Sequence, residues 1–266
     1  MVGFLLRKSF YDLWDNLFKI VALNLGFYAC IAMPVFLPRL AALFTDSPAP
    51  QIALSVIGIF ACSIYLAAAA FAVKPVSDYE NFSFQDFLKA FKTAWPAGMM
   101  MGIFTAVLFI IAAVIIPFYL NMEPPMIGFA LAAIIFWTAF FGLLSFQFYF
   151  IVITRLGGKT TFADLKKALK KCILIAVDNT GFSFFLLIHN FITLILSAFL
   201  AFMFPGPVGV ILYLDEALRL RLLKYDWLEA NPGADRRKIP CDALLIEERE
   251  KTGTRTFKNF IFPWKD

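Results

Sequence analysis

The chain has 266 residues, 61% of them hydrophobic and 16% charged, with a mean hydropathy of +0.77. A soluble globular chain is nearer half apolar and a quarter charged, so the composition excludes an ordinary soluble domain and points to a helical membrane protein. The apolar runs are continuous rather than alternating, which excludes a transmembrane β-barrel, and the net charge of +5 comes with no basic fold suited to nucleic acid.

A short amphipathic pattern recurs three times: SFYDLWDNLFK at Ser9, SFQDFLKAFK at Ser83 and TFADLKKALK at Thr161. In each, a hydroxyl residue stands three positions before an aspartate: Ser9 and Asp12, Ser83 and Asp86, Thr161 and Asp164. That spacing predicts a helix cap, with the hydroxyl accepting from a free first-turn amide and the carboxylate near the positive end of the helix dipole. Apolar positions fall at helical intervals with lysines largely opposite, which predicts basic helices lying in the membrane interface. Each copy leads into an apolar run, so the chain reads as three repeats of amphipathic helix plus hairpin, at about 9–73, 83–155 and 161–227.

Taken in order, 1–17 reads as retained structure rather than a removed targeting segment. Spans are expected at about 18–37 and 51–73, then from Pro96 to about 120, then 126–153 and 182–204. Pro96 is tolerated where a helix opens, because a first-turn amide has no helical partner. The segment 208–227 is the weakest span, with Asp215, Glu216, Arg219 and Arg221 interrupting it. Lys and Arg decide its treatment. Segments 1–19, 74–95, 154–178 and 214–266 hold 23 of the 24, and only Arg39 falls in the other loops. By the positive-inside rule all basic segments share one side, which favours six spans with both termini cytoplasmic; a re-entrant half-helix at 206–214 gives the same sidedness. The expected architecture is all-α and polytopic, with residues 1–228 in the membrane domain. Residues 229–266 form a cytoplasmic tail containing a short helix between Pro240 and Gly253 and a basic, aromatic end, TRTFKNFIFPWKD, suited to anchoring or docking.

The polar candidates are few. His189, beside Asn190, is the only histidine; Asp215 and Glu216 are the acidic pair in a weak span, and Arg219 lies four residues from Asp215 on the same helix face. Asn24, Gln147 and Asn190 are placed for hydrogen bonds between helices. Polar groups at such depth either pair with one another or line a pathway. Cys30, Cys62, Cys172 and Cys241 show no CxxC, and no nucleotide loop, GxSxG or metal-ligand spacing occurs. No cofactor, metal or enzymatic reaction is therefore expected.

Residues 16–36, NLFKIVALNLGFYACIAMPVF, and 82–92, FSFQDFLKAFK, resemble the YesL-type family of bacterial membrane proteins, over roughly 16–225. The resemblance implies a multi-pass protein of the bacterial cytoplasmic membrane. It also implies a partner class, the permease of a carbohydrate uptake system, without site residues. Two functions stay open: a non-catalytic accessory protein, with other membrane subunits or its own copies as partners, and a small transporter or channel with the polar groups above lining a path.

Overall fold

The computed structural model describes residues 1–81, 83–157, 160–235 and 239–253. The chain is an all-α polytopic membrane protein, and among the described residues there is no strand. Five helical stretches are long and apolar enough to cross a bilayer: Leu17–Ala42, Pro48–Ser77, Phe84–Leu120, Pro125–Arg155 and Thr180–Ala198. The basic, aromatic segment 254–266 lies outside the described residues.

The first repeat copy begins differently from its reading. Helix α1 spans Val2–Asp15 and is capped at Met1, so Ser9 lies inside it and Asp12 falls in its last turn. Asn16 breaks α1 from α2, Leu17–Ala42, which continues through Pro34 and Pro38. Helix α3, Pro48–Ser77, starts at a Ser47 cap that accepts from the amide of Ala49. It ends in a tight turn. Tyr79 adopts φ +64°, its amide donates to Val76 O at 3.0 Å, and the Glu80 amide reaches back to Pro75 O at 2.8 Å. Those two bonds form a Schellman closure with a tyrosine where glycine is usual.

The second copy has its predicted cap: Ser83 accepts from the Gln85 amide at 3.2 Å, and Asp86 sits in the first turn. However, no separate amphipathic helix precedes the span. Helix α4, Phe84–Ile110, runs straight through Pro96, passes a π-helical segment at Ile111–Ile115 and ends in α5, Ile116–Leu120. A Cβ on Gly98 would collide with the Cα of Ile64, so α4 packs on α3 at backbone contact, and Ala94 and Ala97 are buried with it. That packing holds the helix across the proline.

Helix α6, Pro125–Phe146, is followed after a two-residue break by α7, Tyr149–Arg155, whose residues Tyr149 to Thr154 are all buried. The third copy matches best. Thr161 caps α8, Phe162–Asp178, and bonds the Asp164 carboxylate at 2.5 Å. Asn179 then separates α8 from α9, Thr180–Ala198.

Helix α10, Gly206–Ala230, is the segment read as the weakest span, and it is not among the five crossing candidates. Its depth can be measured against its neighbours. Loop 199–205 and the start of α10 meet α2 at Asn24 and Tyr28. Those residues are about 10–17 Å from the start of a helix ~39 Å long, at ~1.5 Å per residue. Asp215 already meets Ser77, the last residue of α3. The α9–α10 hairpin therefore turns back partway along the bundle, and 206–214 is the first part of one continuous helix rather than a separate half-helix. The buried core follows it: Ile20, Leu23, the run Ala67 to Ala70, Tyr149, Ile151, Leu212 and Leu218 all lie toward the end of the molecule that carries the charges. The far halves of α2, α4 and α6 instead expose Phe36, Phe109, Phe129 and Phe136, and Phe44 is exposed just beyond α2. Two short helices, α11 (Cys241–Leu244) and α12 (Ile246–Thr252), complete the charged end, with Leu245 fully buried.

Candidate functional site: a buried charge network at one end of the bundle

The turn Ser77–Asp78–Tyr79 at the end of α3 gathers charged groups from four other helices. Arg155 at the end of α7 grips Asp215 of α10 with two bonds, Nε to Oδ1 at 2.9 Å and a terminal nitrogen to Oδ2 at 2.5 Å. The same guanidinium reaches Ser77 Oγ at 2.7 Å and Asp78 at 3.2 Å. Ser77 Oγ donates to Asp215, which closes the ring. Arg219, one turn further along α10, donates to Asp78 at 2.5 Å, to Ser77 O at 2.7 Å and to Glu248 of α12 at 2.9 Å. The four-residue spacing of Asp215 and Arg219 does share one helix face, but each is paired outside its own helix.

Lys8 enters from α1. Fully buried, it donates to Asp12 at 2.5 Å and to Ser77 O at 3.2 Å, and it lies 3.6 Å from Glu216. The Tyr79 ring fills the space beside these cations, with Lys8 Nζ 4.3 Å and the Arg219 guanidinium 5.2 Å from its centre. Its hydroxyl donates to Glu248 Oε2 at 2.8 Å.

Burial governs the acids. Desolvation pushes the Asp215 carboxyl up from its ordinary range, and Arg155 opposes that shift. Glu216 is lifted well above the usual carboxylate range, first by complete burial; Lys8 pulls it back and Asp12, sharing that lysine, pushes it further up. Neither Glu216 oxygen has a hydrogen-bond partner among the described residues.

Comparison with known proteins adds no relative. No family model, curated protein or solved structure matches the chain. The site must therefore be read from its own geometry.

The remaining candidates lie apart from the network. Asn24 joins α2 to the hairpin: its amide donates to Met203 O at 2.9 Å and Pro205 O at 2.8 Å, and its oxygen accepts from the Val208 amide at 3.0 Å. Gln147 bridges the α6–α7 break to Ser183 O at 3.0 Å. His189 stacks on Tyr213 at 4.0 Å between ring centres, and Asn190 is buried with its side-chain oxygen unpartnered among the described residues. No group of three or more His, Cys, Asp or Glu placed to hold a metal ion occurs among the described residues.

Sequence reading missed Lys8, Ser77, Asp78, Tyr79, Arg155 and Glu248. Ser77, Asp78, Tyr79 and Arg155 sit at helix ends or in a connection, and the basic residues read there only as sidedness markers. The available signal was stoichiometric: Asp215 and Glu216 in a buried helix require cations from elsewhere in the chain. Chemically, the network is a clamp. It fixes five segments by mutual pairing, and its charges face one another.

Proposed function

We propose that the chain is a non-catalytic integral membrane protein of the bacterial cytoplasmic membrane, with both termini cytoplasmic, serving as an accessory subunit to a carbohydrate transport system. The observation that carries this reading is the clamp itself. Asp215, Arg219 and Arg155 are tied into ion pairs at one end of the helices, so they build a rigid platform on the side where the basic segments gather. Asn24 likewise fastens the hairpin. The YesL-type resemblance of 16–36 and 82–92 supplies the partner class. The basic surface of α8, with Lys166, Lys167, Lys170 and Lys171 exposed, supplies a face suited to anionic lipid or to a partner's acidic surface.

The competing reading is a small transporter or channel. It draws on His189 and Asn190, whose polar atoms Nδ1 and Oδ1 lack hydrogen-bond partners among the described residues.

Affinity purification from membranes at native expression level, followed by mass spectrometry, tests the proposal. Stoichiometric recovery of sugar-transporter permease or solute-binding subunits is the expected result. Recovery of the chain alone or only as a homo-oligomer overturns it. Solute flux in reconstituted vesicles that is abolished by His189→Ala or Asn190→Ala would establish the transporter instead.

A further inference from the structure

A cavity of about 280 Å³ lies between α1, α9 and the start of α10. Its wall is mostly apolar, with Leu6 and Leu196 at its edge, Gly209 at its back, and no Lys, Arg, Asp or Glu in the lining. Four polar side chains line it: Ser9, His189, Thr193 and Tyr213. Ser9 Oγ, His189 Nδ1 and the Tyr213 hydroxyl are all buried without a hydrogen-bond partner among the described residues. Ser9 and Tyr213 are 3% and 4% exposed, so bulk water does not reach them freely. Leaving several such atoms unsatisfied in one apolar wall is unfavourable, and native structures pair the great majority of them.

We propose that this cavity is a lipid-binding site that takes the acyl-ester region of a membrane glycerolipid. Three observations select that occupant. Ser9 and Tyr213 can each donate through a hydroxyl, and His189 through its imidazole, to the acceptors that ester carbonyls supply. The lining is uncharged, so a phosphate or carboxylate inside it would be desolvated without a counter-charge. The edge of the cavity also continues into an apolar surface: Leu196 is 58% exposed and adjoins exposed Phe191, Ile192 and Ile195 on α9. A ligand arriving over that surface comes from the bilayer. The volume is at the small end for ligand sites, which suits part of one chain and its ester rather than a whole lipid. Ser9, expected to cap a helix, becomes a recognition group here. This site stands independently of the accessory reading, since it concerns lipid and not a protein partner.

The test uses the full chain reconstituted in phosphatidylcholine vesicles containing a little phosphatidylcholine with a diazirine near the ester end of one chain. A parallel sample carries the same chain on phosphatidylglycerol. After illumination, adducts are mapped by peptide mass spectrometry. Both probes should label 6–13 and 189–213 above the outer faces of α2, α4 and α6, and to equal extents. Thr193→Trp, which fills the cavity, should remove the excess. The double variant Ser9→Ala, Tyr213→Phe keeps the packing and should lower it by about fivefold for each hydrogen bond lost. It also decides the matter if the tryptophan variant fails to fold. Even labelling over all apolar surfaces, or labelling unchanged in the double variant, overturns the site. Labelling by phosphatidylglycerol alone overturns the acyl-ester assignment, because the headgroup charge would then be what is recognised.

Discussion

The side-chain oxygen of Asn24 accepts a hydrogen bond from the backbone amide of Val208 at 3.0 Å, so a residue of the first apolar helix caps the last long one. The same amide group binds the carbonyls of Met203 and Pro205, which places three bonds from one side chain on the loop that leads into α10. Gly206 makes this approach feasible. It has φ +62°, a conformation that favours glycine, and a Cβ there would collide with the Asn24 amide.

Asn24→Leu keeps the volume and removes all three bonds. It strands the Val208 amide and the Met203 carbonyl, while Pro205 O keeps the Gly209 amide, and stranded groups cost about 1–3 kcal/mol each in ordinary interiors. Hydrogen bonds within membranes average below that, so about 2 kcal/mol is expected for the set. Amide hydrogen exchange checks this: the amides at 199–208 should exchange faster, while those of α3 around Tyr65, whose hydroxyl holds α3 to Leu23 O of α2, stay protected. Uniform loosening of both regions would argue that Asn24 supports the whole bundle and not the hairpin.

Arg155 is the hub of the network, and its planar fork serves Asp215 at two points. Removing one partner from a buried pair typically costs about 3–5 kcal/mol, because the other charge stays buried alone. Arg155→Ala should therefore lower the unfolding midpoint in detergent sharply. Arg155→Lys should recover little, since an ammonium cannot make the two parallel bonds. Asp215→Asn in the Arg155→Ala background should restore part of the loss. A double variant no better than the single one would mean that the pair is not the source of the effect.

How much of this was legible in the sequence depends on the kind of signal. The apolar helices, the caps at Ser83 and Thr161 and the weakness of 208–227 as a span follow from periodicity, local hydrogen-bond chemistry and charge content, which are all local in the chain. The Ser9 cap failed because the same serine–aspartate spacing also fits the middle of a helix, and α1 began seven residues earlier. Pro96 was read as a helix start, whereas tight packing of Gly98 on Ile64 carries the helix through it. The network was least legible. Lys8 and Glu216 are 208 positions apart, and only the folded hairpin brings them to 3.6 Å.

Glu216 makes stability depend on pH with a sign opposite to a salt-bridged acid. Its folded pKa is raised above the ordinary value of 4.5 by burial. The folded chain thus holds a proton that the unfolded chain releases, and stability rises as pH falls through the folded pKa toward 4.5. Above the folded pKa that gain is absent. Asp215, also raised, contributes in the same direction. Unfolding midpoints measured from about pH 8 down to about pH 5 should rise for the parent chain and rise less for Glu216→Gln, which imitates the protonated acid. The variant should also match or exceed the parent at the alkaline end. An unchanged slope would show that Glu216 is not the titrating group.

The depth of the α9–α10 hairpin gives the last prediction. If the hairpin turns back where Asn24 and Tyr28 meet it, its tip reaches neither surface of the membrane. Single cysteines placed in a chain whose own Cys30, Cys62, Cys172 and Cys241 are alanine report this directly. Glu80→Cys and Glu123→Cys mark opposite ends of the bundle, beyond α3 and between α5 and α6 respectively. A membrane-impermeant maleimide should label each from one side only, and from opposite sides. Met203→Cys, at the hairpin tip, should resist the reagent from both sides of sealed vesicles and react after detergent solubilisation. Labelling of position 203 from the same side as 123 would mean that α9 and α10 both cross, which restores a sixth span.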